Sequence, residues 1–75
     1  MNKTVIQNYL ISKGWRYIDD NILSKGCCSR YRMLLTYTSA HYQKLNNEQW
    51  LTITQDDIEN IEIINNRLKI NKMVL

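Results

Sequence analysis

The sequence predicts an α+β domain: one N-terminal helix packed on a mainly antiparallel, hairpin-rich sheet of about five to six strands, with a small partly closed barrel as the alternative. Three observations predict it. Two Asn-Asn pairs, Asn46-Asn47 and Asn65-Asn66, each separate runs that alternate apolar and polar residues. Asn tolerates positive φ better than other non-glycine residues, so a pair supplies both central positions of the type I′ turn that matches strand twist. Residues Arg30 to Ser39 carry a period of two, and residues 4 to 14 carry a helical signature.

In the helix, Thr4 with Gln7 fits a capping box, and Val5, Ile6, Tyr9 and Leu10 form one apolar stripe. Lys13 and Gly14 end it. With Gly14 at the left-handed position after the cap, Trp15 falls where the Schellman motif places an apolar contact against Leu10, which makes Trp15 structural. Asp19-Asp20-Asn21 then divides Trp15–Ile18 from Ile22–Lys25 as a third, smaller hairpin.

Along the segment from Arg30 to Ser39, Tyr31, Met33, Leu35 and Tyr37 share one face, and Arg30, Arg32, Leu34, Thr36 and Thr38 share the other. This reads as a central strand. A two-residue turn at Asn46-Asn47 sets Leu45 opposite Glu48, Gln43 opposite Trp50, Tyr42 opposite Leu51 and Ala40 opposite Ile53. Ala40, Tyr42, Leu51 and Ile53 become the core side, and Trp50 turns away with Gln43, His41 and Thr52. At Asn65-Asn66 the pairs are Ile64 with Arg67, Ile63 with Leu68, Glu62 with Lys69 and Ile61 with Ile70. The competing helical stripe Ile58, Ile61, Ile64 and Leu68 reduces to one helical turn near residues 55 to 59, because Ile-rich alternation around Asn-Asn suits strands.

A chain of 75 residues has room for one domain and buries only about 60% of its unfolded surface. With 44% hydrophobic residues, no Pro and only Gly14 and Gly26, it shows no linker or low-complexity segment. Met1 to Leu10 is too short and too polar for a signal peptide or a membrane span, so a cytoplasmic protein without membrane attachment is expected. Enrichment in Asn, Ile and Lys is what an AT-rich genome imposes, as in low-GC bacteria and their phages or plasmids.

The net charge of +3 is unevenly distributed. Asn21 to Asn47 holds Lys25, Arg30, Arg32 and Lys44 and no acid, whereas Glu48 to Glu62 holds five acids and no base. Lys25, Arg30 and Arg32 with Tyr31 among them form a candidate patch for phosphates or an acidic partner, and an ordinary solvated strand face accounts for the same charges. Cys27-Cys28 with His41 gives three ligands where structural zinc takes four, so no metal or cofactor is expected. A free cysteine pair of this kind places one thiol in the core as a small hydrophobe. His41 is the single histidine, no nucleophile and base pair is suggested by spacing, and Asp19-Asp20 and Asp56-Asp57 sit where turns and helix starts want them. No catalytic residue is assigned.

Residues 5 to 38, with helix, Lys13-Gly14-Trp15, strand, Lys25-Gly26 and strand, resemble the start of the HicA family of RNA-cleaving toxins. That resemblance implies a double-stranded-RNA-binding-like fold and contact with RNA. Where the family carries Ser and its active histidine, this chain has Cys27 and Cys28, so cleavage does not carry over.

Elimination leaves a non-enzymatic binding protein. Trp50, Tyr31, Arg30 and Arg32, with His41 and Gln43, supply the aromatic and Arg types that dominate interface energetics. The expected partner is a protein, in the manner of a small phage or mobile-element regulator or inhibitor of a host protein, for example an anti-defence protein. Strand edges also offer a second copy a pairing surface. The alternative is RNA or DNA binding, with Lys25, Arg30, Arg32 and Lys44 on phosphates and Tyr31 or Trp50 stacked on bases.

Overall fold

The computed structural model describes residues 1–26 and 29–75, so the expectation for Cys27 and Cys28 lies outside the described residues. Helix α1 spans Lys3–Ser12. Its cap is Asn2 rather than Thr4: the Asn2 side chain accepts the Val5 N–H at 3.1 Å, one of the helix's otherwise unpaired donors. The helix stops as the sequence predicts. Gly14 takes φ 97°, its N–H donates to the Ile11 carbonyl at 3.1 Å, and the Trp15 N–H donates back to the Leu10 carbonyl at 3.0 Å. These two bonds are the Schellman pair, and they turn Trp15 inward, where it is buried.

Five strands follow as an antiparallel meander in sequence order: β1 Arg16–Asp19, β2 Ile22–Ser24, β3 Tyr31–Leu35, β4 Ser39–Asn46 and β5 Gln49–Asp57. The sheet does not close into a barrel, because β1 and β5 are its two edges. A 3₁₀ turn at Ile58–Asn60 leads into a second sheet of β6 Glu62–Ile64, β7 Arg67–Ile70 and β8 Met73–Val74. The turn expected near 55–59 thus begins three residues later and ends at Asn60, since β5 keeps pairing with β4 out to Asp57 opposite Ser39.

The Asn65-Asn66 hairpin has the expected register: Glu62 opposite Lys69, Ile63 opposite Leu68, Ile64 opposite Arg67, with φ 52° and 62° at the two asparagines. The other hairpin slides by one residue. Asn47 and Glu48 take the positive φ values, 50° and 66°, and Asn46 becomes the last residue of β4 opposite Gln49. This slide sets Leu45 against Trp50, apolar on apolar, instead of Gln43 against Trp50. A β-bulge then intervenes, because Gln43 pairs Thr52 while Tyr42 pairs Thr54, leaving Ile53 as the extra residue.

The central strand is also shorter than its pattern. β3 ends at Leu35, since the Thr36 hydroxyl accepts the N–H groups of Thr38 and Ser39 at 3.3 and 3.0 Å and folds the chain back. Tyr37 therefore stands at the tip of a turn, 85% exposed, and not on a core face.

The core joins Ile6, Leu10 and Trp15 from the helical end to Leu23, Met33, Leu35 and Ala40 of the main sheet and Ile58, Ile61, Leu68 and Ile70 of the C-terminal part. Helix and small sheet thus share one face of the five-stranded sheet. Leu51 and Ile53, expected in the core, are 47% and 44% exposed: β5 runs past the cover on that face, and the bulge removes Ile53 from the ladder. Val5, at 42% exposed, likewise leaves the helix's buried stripe to Ile6 and Leu10.

Two substitutions test the backbone reading. Gly14→Ala places a Cβ at positive φ and is expected to cost about 1–2 kcal/mol, a fall in Tm of roughly 4–16 °C by calorimetry. Glu48→Gly removes the same strain from the β4–β5 turn and is expected to raise Tm by a few degrees, whereas an Asn46-Asn47 turn would make it neutral or destabilising.

Candidate functional site

Among the described residues no helix or second sheet packs on the face of the main sheet opposite α1, yet several side chains of that face are half-buried. Leu34, His41, Gln43, Leu45 and Trp50 are all partly buried. The register explains the rows: Ile22, Leu34, His41 and Gln55 run across β2 to β5, followed by Arg32, Gln43 and Thr52, and then by Leu45 and Trp50.

Arg32 ties these rows together. Its Nε donates to Gln43 Oε1 at 2.7 Å, and Gln43 Nε2 donates onward to Thr52 Oγ1 at 3.3 Å. The guanidinium meanwhile reaches diagonally across β4 and lies 4.2 Å from the centre of the Trp50 ring. A cation over an indole at this distance is worth about 0.5–1 kcal/mol where water reaches it. Arg32, Gln43 and Trp50 are therefore held in one arrangement before any partner arrives. Arg30 adds a second guanidinium at the same end, its Nη2 donating to the Leu45 carbonyl at 3.4 Å.

Tyr31 belongs to the other face. Its ring stacks on Tyr42, 5.7 Å between centroids and 10° between planes, with the Lys44 ammonium 5.8 Å from the Tyr31 ring. The stack continues inward as Tyr42 meets Trp15 at 6.4 Å, tilted by 54°. Of the residues expected to bind a partner, the fold thus gathers Arg30, Arg32, His41, Gln43 and Trp50 on one face and puts Tyr31 on the reverse. The four bases expected to serve nucleic acid are distributed over three places: Arg30 and Arg32 outside, Lys44 beside Tyr31, and Lys25 beyond β2 near the end of α1.

Spacing alone did not reveal that Ser39 and His41 meet, although an i, i+2 pair on one strand face is the signal that finds them. Ser39 Oγ lies 3.0 Å from His41 Nε2, but the same hydroxyl is 3.1 Å from Thr36 Oγ1 and closes the β3–β4 turn. The pair serves the turn. Among the described residues no group of three or more His, Cys, Asp and Glu side chains is placed to hold a metal ion, and no helix is long and apolar enough to cross a membrane.

Nothing matches this chain among protein-family models, curated proteins or solved structures. The resemblance to RNA-cleaving toxins rests on residues 5 to 38 alone, and after α1 the described chain continues in strands to Val74 without a second α-helix.

Burial raises the hydroxyl pKa of Tyr42 above 10.0, with the Tyr31 hydroxyl adding to it, and does the same for Tyr17 beside Tyr37. The folded state then holds these protons longer than the unfolded chain does. Their contribution to stability is complete below pH 10 and is lost as pH rises through the higher folded values. Denaturant melts between pH 8 and 11 are expected to show unfolding free energy falling above about pH 10. Tyr42→Phe should make that fall shallower, and an unchanged slope would remove the burial argument.

Proposed function

We propose that the protein acts by docking on another protein through the outer sheet face, with Arg32 and Trp50 at the centre of the contact. The single observation that carries this reading is the guanidinium held over the Trp50 indole by Gln43 and Thr52, on a sheet face that no part of the described chain covers. Arg and Trp are the residue types that most often carry interface energy, and a side chain already fixed loses less entropy on binding.

The chemistry of the face favours one kind of partner. Arg30 and Arg32 favour carboxylates, while Leu34, Leu45 and Trp50 favour an apolar contact beside them, so the complementary surface is an acidic protein patch with an apolar centre. A composition typical of AT-rich genomes fits a phage or mobile-element protein that regulates or inhibits a host protein, anti-defence proteins among them. Nucleic-acid binding has less support, because its four bases do not form one track.

Immobilised protein challenged with lysate of a candidate host, with recovered proteins quantified, provides the test. Arg32→Ala and Trp50→Ala are each expected to lower recovery of the specific partner about 30-fold, the effect of losing a hot spot of roughly 2 kcal/mol. Tyr37→Ala, on the exposed β3–β4 turn, should recover it fully. Undiminished recovery by both outer-face variants, with circular dichroism showing them folded, would overturn the reading. A strong, salt-sensitive mobility shift with RNA in place of a protein partner would overturn it in favour of phosphate contact.

A further inference from the structure

On the helix side of the main sheet, away from the Arg32 and Trp50 face, a cleft of about 330 Å³ opens beside the end of α1. Three cations from distant parts of the sequence line it. Lys13 caps α1, Lys25 follows β2, and Arg67 opens β7 just after the Asn65-Asn66 turn. Among the described residues no carboxylate side chain lines it, and the one carboxylate at its wall is the main-chain group of Leu75, which accepts the Tyr9 hydroxyl at 3.2 Å. The rest of the wall is apolar or aromatic, from Leu10, Trp15, Tyr9 and Leu75, with the Asn66 amide at the rim.

These cations do not gather merely to serve the carbonyls at the end of the helix. The Leu10 carbonyl receives the Trp15 N–H, and the Ile11 carbonyl receives the Gly14 N–H together with Arg16 Nη1 at 3.3 Å. Arg16 does that work. Lys25 packs along the turn, with its Cε 3.9 Å from where a Cβ on Gly14 would stand, an ordinary contact distance. Lys13 Nζ in turn lies 5.5 Å from the Tyr9 ring centre. Three cations against one main-chain carboxylate leave the cleft with an excess of positive charge, and a ligand with two negative charges offsets it.

We propose that this cleft binds a phosphomonoester carried on an apolar or aromatic body, the chemistry of a nucleoside monophosphate. A phosphomonoester carries about −1.5 to −2 charge near neutral pH, which balances three cations less the Leu75 carboxylate, and Arg67 can take two of its oxygens at once. The body of the ligand would lie against Tyr9, the accessible edge of Trp15 and Leu75, and the Asn66 amide can both donate to and accept from a base edge. A cleft near 330 Å³ is at the small end of ligand sites, which suits one nucleotide and not a polymer.

Amide chemical-shift titration of the intact protein tests this with three probes: adenosine monophosphate, adenosine and inorganic phosphate. Adenosine monophosphate is expected to give saturable shifts centred on Gly14, Trp15, Lys25, Asn66 and Arg67, with adenosine and phosphate each at least about tenfold weaker. Lys25→Gln and Arg67→Gln should each weaken binding about fivefold or more, while their own spectra report an intact fold. Arg32→Ala should leave the affinity unchanged, which separates this site from the docking face. The proposal is overturned if no saturable shift arises at millimolar nucleotide, if adenosine binds as well as its phosphate, or if the shifts centre on the outer sheet face.

Discussion

The position of Trp15 behind a left-handed Gly14 is the constraint on which most of this fold depends. A helix of ten residues is marginal in water by itself, and its only two fully buried side chains are Ile6 and Leu10. The two hydrogen bonds that close its last turn put the Trp15 side chain into the same core and aim the chain into β1. From there contact passes by Trp15 to Tyr42 and by Tyr42 to Tyr31, so one aromatic line joins the helix end to β4 and β3. Removing the left-handed residue would disturb helix, sheet and cleft together, because all three share Trp15.

The two Asn pairs show what kind of information a sequence holds about a sheet. Asn65-Asn66 forms the turn at the expected place, and the residues beside it pair as arithmetic requires. At the other hairpin the turn moves one residue onward, yet Trp50 still faces away from Tyr42. Moving a two-residue turn by one position changes each partner by two, and two residues along a strand return to the same face. Side parity is therefore legible even where register is not. The bulge at Ile53 is different, since one unpaired residue does invert parity beyond it, and no local signal in Thr52-Ile53-Thr54 announces it.

Burial was less legible than facing, for a related reason. Which strand positions lie under cover depends on where the helix and the second sheet come to rest, and that is decided by contacts far apart in sequence. Leu51 points to the covered side but lies beyond the cover, whereas Leu45 and Gln43 point to the uncovered side and are half-buried by their neighbours. The β3–β4 turn escaped notice because Thr36 makes it with a side-chain hydroxyl rather than with Gly, Asn or Pro, inside a run whose alternation continues unbroken to Ser39. The cations show the same limit. Lys25 and Lys44 part company in space from Arg30 and Arg32, although all four lie in one acid-free stretch of the chain, while Lys13, Lys25 and Arg67 come from three parts of the chain and line one cleft.

The proposed docking face shows how a small domain can expose apolar side chains under a charged cover. An uncovered sheet face of Leu34, Leu45 and Trp50 alone would be an exposed apolar patch and an aggregation hazard. Laying the Arg32 guanidinium across β4 onto the indole covers the ring with a charged, hydrated group, and the Gln43 bond fixes it there. A partner carboxylate can pair with the guanidinium from the solvent side without displacing it from the indole, since the ring uses the face of the cation and a carboxylate uses its edge. In the proposed complex the stack would thus survive binding and gain charge complementarity, so the same contact that steadies the free domain would also orient its principal donor.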